Sequence, residues 1–334
     1  MRHAVLFFGV LLTLRVYAQA ECDSTTANLK PMDQVSVTYN DSAGGLYQNN
    51  SNARPTTHEN GGRVRALEIA PRTATGVINW STGKIGFILV GMSNLQRIGW
   101  FLRDSLQSAA MQRKMNPKIL FQNCAQPGVS IVKMADTTDA YWTTVLPDSL
   151  NVAGLTAKQI GVVIFYNVVG RNDATVVWPG FPRATRDKTL RIMRIIQNKF
   201  PYCKLLLINS REYCNYSGAN APGNEPDTYW HGWGQKWAIW NQIWGVDSVS
   251  YAKGISYKGN APWTDWMTYN WADGAATGAT ARTDGLKWVC ADFENDGTHV
   301  DTPGVRKIVI RWLNKLQSDV TMRTWFLRNA SFYL

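Results

Sequence analysis

Asp296 and His299 stand three residues apart in the stretch Glu294-Asn295-Asp296-Gly297-Thr298-His299-Val300. An imidazole acts as a general base when a partner fixes its tautomer, and a carboxylate at short spacing is one way to supply that partner. The same residue types also suit a surface turn that caps a helix opening at Pro303. Of the four histidines, His3 lies in a leader-like start, His58 in a polar segment and His231 in a Trp-rich helical stretch, and only His299 has an acid three residues before it. A hydroxyl to pair with it occurs at Ser93, which follows an apolar run through Gly91 and begins a helical pattern. Helix N-terminal amides then point at the hydroxyl, a setting that suits both a nucleophile and an oxyanion. Alone, Ser93 reads first as an N-cap. Together, Ser93, His299 and Asp296 are the nucleophile, base and orienter of acyl-transfer chemistry.

Such a set needs a scaffold that brings position 93 to position 299. Short apolar runs at 84–90, 118–123, 161–169 and 204–209 read as buried parallel strands. Helical periodicity falls between and after them, at 94–111, 139–157, 183–200, 229–244 and 303–316. Strand and helix in alternation predict an α/β fold, a three-layer α/β/α sandwich around a mostly parallel sheet. Ligands of such sheets bind beyond the carboxyl ends of the strands. The polar residues there are Ser93 and Asn94, then Asn123 to Gly128, then Asn167 and Gly170-Arg171-Asn172-Asp173, then Ser210-Arg211-Glu212-Tyr213.

At this point the chain resembles the SGNH (GDSL-type) hydrolase superfamily. The blocks that carry the resemblance are Gly91-Met92-Ser93-Asn94, Gly128 after the second strand, an Asn after the third, and Asp296-Gly297-Thr298-His299. The Gly-x-Ser-Asn form is similar to the sialate-O-acetylesterase-like branch. Ser210-Arg211-Glu212-Tyr213, the run from Asp284 to His299 and Trp325-Phe326 resemble a group of secreted SGNH proteins more closely still. The blocks span roughly residues 84–326. The resemblance implies a flavodoxin-like SGNH fold with Ser93 as nucleophile, His299 as base and then acid, and Asp296 as its orienter. The backbone amides of Ser93 and Gly128, with one Asn side chain, would form the oxyanion hole. Asn172 matches the family's Gly-x-Asn-Asp literally, whereas strand length favours Asn167, and both stand as candidates. Asn94 and Arg211 are candidate substrate contacts, Arg211 as a fork for a carboxylate or phosphate. Met92 departs from the acid usual at its place. No cofactor or metal is implied. The expected activity is removal of acetyl or another small acyl group from a carbohydrate. The alternative is a glycan-binding or extracellular interaction module that keeps the fold without catalysis.

Composition frames these readings. Residues 1–20, with Arg2 and His3, an apolar run from Ala4 to Leu14 and Ala18-Gln19-Ala20, have the form of a cleavable secretion signal. Residues 21–80 read as an irregular or β-rich lead-in to a hydrolase-like domain at 81–334. The formal charge of +11 is scattered without long basic runs, which gives no nucleic-acid stripe. No membrane span is visible, and nothing in the sequence speaks to oligomeric state. Five cysteines in an oxidising compartment lead to an expected one or two disulfides, Cys214–Cys290 among them, two of which would leave one thiol over. Glycosylation sequons occur at Asn40, Asn49, Asn79, Asn215 and Asn329. The fifteen tryptophans either fill a core or stack on sugar rings.

Overall fold

The computed structural model describes residues 26–169, 177–217, 224–244 and 255–328. The leader-like start, Cys22, Asn172 and the Asn329 sequon lie outside these residues. Five parallel strands form the central sheet: β1 (Ile85–Gly91), β2 (Ile119–Asn123), β3 (Ile160–Tyr166), β4 (Leu205–Asn209) and β5 (Trp263–Thr268), in the spatial order 2-1-3-4-5. Every position of β1, β3 and β4 is buried, which explains their unbroken apolar runs: a parallel strand covered on both faces has no solvent side to make polar.

The main helices are α1 (Thr56–Leu67), α2 (Ser93–Gln107), α3 (Gly180–Lys199), α4 (Asp227–Trp244) and α5 (Thr302–Ser318). They fall into two groups. Helix α2 packs with α5, and a short turn at Arg323–Phe326 joins α5 to α1; α3 packs along α4 and against the turn at Ile131–Met134. This α/β architecture is compatible with a three-layer sandwich. Strand order reverses between β1 and β3, so the crevice at their carboxyl ends is the topological switch point where ligands of doubly wound sheets bind.

Several expectations need correction. The expected helix at 94–111 breaks at Ser108, whose hydroxyl accepts from the Met111 amide and caps a second helix at Ala109–Lys114. The lead-in is not irregular throughout, because it contains α1. Its Asn60-Gly61-Gly62 reads locally as a turn. A Cβ at Gly62 would stand 2.5 Å from the Trp263 ring, and one at Gly61 2.5 Å from the Tyr257 hydroxyl. Close packing, not chain reversal, is what these glycines serve. Strand β5, Trp-Thr-Asp-Trp-Met-Thr, was not expected at all. Its Asp265 and Thr264 are buried and satisfied from the lead-in and α4: Tyr47 and Arg54 each reach Asp265 at 2.6 Å, and the Gln242 side chain accepts from the Thr264 amide at 2.8 Å. A polar strand can be buried only when other segments bring its partners. The Cys214–Cys290 bridge does not form, since Cys214, like Cys124 and Cys203, is a buried free thiol.

Most of the tryptophan content answers to packing. Trp142, Trp233, Trp263, Trp266, Trp271, Trp288 and Trp312 are fully buried, whereas Trp80 and Trp100 are exposed. Among the described residues no helix is long and apolar enough to cross a membrane.

Candidate active site

Strand β1 delivers Ser93 to the switch point with little slack. Gly91 lies so close to β3 that a Cβ there would meet the Tyr166 carbonyl oxygen at 2.0 Å, so only glycine lets the two strands approach. Met92 is extended, and Ser93 is the first residue of α2. Its amide belongs to the first turn, where no carbonyl precedes it within the helix to accept.

The base comes from the connection into α5. Phe293 and Val300 bridge antiparallel, the Glu294 amide donates to the His299 carbonyl at 2.8 Å, and the Gly297 amide donates to Glu294 at 2.8 Å. Gly297 closes this small loop at φ 64°, and a Cβ there would fall 2.2 Å from the Tyr216 backbone. Both conformation and space therefore require glycine. Within the loop the Asp296 carboxylate is fully engaged. One oxygen accepts the Thr298 and His299 amides, each at 2.9 Å, and the other lies 2.5 Å from His299 Nδ1. His299 Nε2 in turn lies 2.8 Å from Ser93 Oγ. Burial would raise the Asp296 pKa, but the His299 ring and the two amides outweigh it and hold the carboxyl down at about 2. The carboxylate is thus charged at neutral pH, and Nδ1 carries the proton toward it, which leaves Nε2 free to accept from the serine hydroxyl. The cap of α5 is a different residue: Asp301 accepts from the Thr302 amide at 2.7 Å.

Asn94 joins the two halves of the site. Its side chain donates to the Thr298 carbonyl at 3.0 Å and to the Tyr166 hydroxyl at 3.3 Å, and accepts from the Val300 amide at 3.2 Å. Tyr166 then donates to Glu212 at 2.6 Å. One turn along α2, Arg97 forks onto both carboxylate oxygens of Glu294, where the loop begins. The serine helix and the histidine loop are therefore tied at Asn94 and Arg97, independently of the Ser93–His299 bond. Glu294, Asp296 and His299 also lie within reach of one cation, but Arg97, two amides and the Ser93 hydroxyl already occupy these groups.

Three predicted contacts take other roles. Asn94 is buried and does not face a substrate. Arg211 is also buried; it donates to Cys214 Sγ at 3.3 Å and lies 5.9 Å from the Tyr166 ring, behind the site. Asn167 is buried, with its amide donors spent on the Val129 carbonyl and Met134 Sδ, each at 2.9 Å. It anchors the loop that carries Gly128 instead of presenting an amide. Gly128 occupies an exposed turn at φ 75°, and the Gln126 amide ties that loop to the Gly91 carbonyl at 2.9 Å. Sequence reading missed the Arg97 clamp. The spacing of four on a helix from Ser93 to Arg97 is the signal that it held.

No family model matches the chain, and no curated protein matches it as a relative.

Proposed function

We propose that the chain is a secreted serine esterase of the SGNH type that removes a small acyl group, such as acetyl, from a carbohydrate. One observation carries this reading: His299 spans Ser93 Oγ at 2.8 Å and Asp296 at 2.5 Å, at the carboxyl end of β1. The 2-1-3-4-5 strand order supports the flavodoxin-like form of the fold, and the leader-like start supports secretion.

In this mechanism Ser93 Oγ attacks the acyl carbonyl carbon while its proton passes to His299 Nε2. The carbonyl oxygen takes the negative charge and faces the Ser93 amide, with Gly128 and Asn172 as the further expected donors. Losing one such donor costs about 2.7–4 kcal/mol of barrier in acyl-transfer enzymes. Collapse of the tetrahedral intermediate breaks the bond to the sugar oxygen, which takes the proton from Nε2. Water then repeats the sequence on the acyl-serine and releases the acid. Asp296 remains ionised throughout and stabilises the imidazolium.

A fluorophosphonate probe followed by peptide mapping tests the reading. Labelling of Ser93 in the wild type, lost in Ser93→Ala, is the expected result. Folded protein that takes no label, together with no release of acetate from p-nitrophenyl acetate or acetylated xylan, would remove the esterase and leave the non-catalytic module.

A further inference from the structure

We propose that the outward face of α2 extends the site into a glycan subsite, with the Trp100 indole as its stacking platform; the inference rests on the esterase reading and names how its substrate is held. Ser93, Arg97 and Trp100 follow one another at i, i+4 and i+7, so they form a single row on the helix. The opposite face is the one that α2 buries, through Leu95, Ile98, Leu102 and Leu106. Trp100 is 49% exposed, in a protein that buries seven tryptophans completely. Among the described residues its ring stacks on no aromatic and carries no cation.

The direction of the side chain matters. Helical side chains lean toward the N-terminus, so a residue covers the surface over the turn before it. That lean directs the Trp100 indole toward the turn that holds Arg97, on the Ser93 side of its own backbone. The axial separation of the two residues is about 10 Å, at 1.5 Å per residue. A ligand must be longer than one acyl group to touch both. A short oligosaccharide esterified at one hydroxyl meets that need.

Charge selects among extended ligands. The only ionic groups in the middle of the row, Arg97 and Glu294, neutralise each other and remain partly exposed, at 31% and 40% of their side chains. A clamped, neutral pair has no net attraction for a carboxylate, a phosphate or an amine. It still offers N–H donors and carboxylate lone pairs to hydroxyl groups. An apolar flat face beside a neutral donor–acceptor pair matches a pyranose, with its C–H face and its ring of hydroxyls. The triad itself is open, Asp296 being 47% and His299 30% exposed, so it encloses little of any substrate. Contacts away from the reacting bond must then supply the binding energy.

The test compares two esters on the full chain. Trp100→Ala should lower kcat/KM for an O-acetylated xylo-oligosaccharide about tenfold more than for p-nitrophenyl acetate, chiefly through KM, and Trp100→Phe should restore part of the difference. In parallel, deacetylated oligosaccharides of xylose, glucose and N-acetylglucosamine are titrated into Ser93→Ala by calorimetry, with and without Trp100→Ala. At least one should bind, and lose that binding with Trp100. Equal losses on both esters, or no oligosaccharide bound more tightly when Trp100 is present, overturn the subsite. Oligosaccharide binding through Trp100 in a protein whose Ser93 takes no fluorophosphonate overturns the esterase and leaves the subsite standing.

Discussion

Two polar clusters in this protein use the same residue types in opposite ways. The candidate active site joins Asp296, His299 and Ser93 in a half-open setting, and its acid and base lie three residues apart. The edge-strand cluster joins Arg54 to Asp265 and Asp319, each at 2.6 Å, and Tyr47 to Asp265. Each of its bonded pairs joins residues more than 200 positions apart, and the Asp265 side chain is fully buried. The first cluster is held by its own loop and by two ties to α2, so it adds little to the fold and keeps its charges available. The second pins the lead-in to strand β5, where an unpaired charge would have no water to turn to. Chemistry and cohesion therefore occupy different parts of one sheet.

Substitutions should separate the two. The largest effect is expected at the site: Ser93→Ala or His299→Ala should lower kcat at least about 10,000-fold, while the urea midpoint of unfolding stays close to that of the wild type. A comparable loss of stability would erase the contrast. At the edge cluster, Arg54→Ala leaves Asp265 buried without its cation and should cost about 3–5 kcal/mol in urea unfolding. A cost below about 1 kcal/mol would mean that Lys315 replaces the lost charge.

A third cluster, around Glu225, is sensitive to pH. Glu225 is partly buried, and its loss of hydration pushes its carboxyl from 4.5 up to about 7, against hydrogen bonds from Thr228, Trp271 and the Cys214 and Tyr229 amides. A carboxyl with a raised folded pKa favours the fold below its unfolded value, and that stability is lost as pH rises from about 4.5 through about 7. The loss should reach about 3 kcal/mol by pH 8. Unfolding curves across pH 4 to 8 check it, and Glu225→Gln should flatten them.

Smaller effects sharpen the boundary. Asn94→Ala deprives the Thr298 carbonyl, the Val300 amide and Tyr166 of a partner; it should cost about 2 kcal/mol of stability and lower kcat more than it raises KM. An effect on stability alone would make Asn94 a scaffold residue with no hold on the base. The smallest effect concerns acid. The Asp296 carboxyl is held below its ordinary value of 3.8, so it favours the fold above that value and loses the contribution as pH falls from 3.8 toward about 2. Because the pair is open to solvent, Asp296→Asn should change acid stability by less than about 1 kcal/mol, measurable as a shift in the acid-unfolding midpoint.

What the sequence determined alone is whatever depends on near neighbours. Unbroken apolar runs announced β1 to β4, and helix periodicity announced α2 to α5. Asp296 and His299 were legible because a three-residue spacing and one glycine suffice to close their loop. Ser93 was legible because a strand, a glycine and a helix start in succession leave its hydroxyl in one place. Tertiary structure decided the rest. Asn94, Asn167 and Arg211 carry residue types suited to ligands, yet each is spent inside, because partners such as Thr298, Val129 and the Tyr166 ring come from other parts of the chain. Strand β5 is polar enough to pass for a loop until Tyr47, Arg54 and Gln242 arrive to satisfy it. A polar side chain near a strand end can face water or a buried partner equally well. Only the position of distant chain segments determines which, and a single sequence records residue types, not those distances.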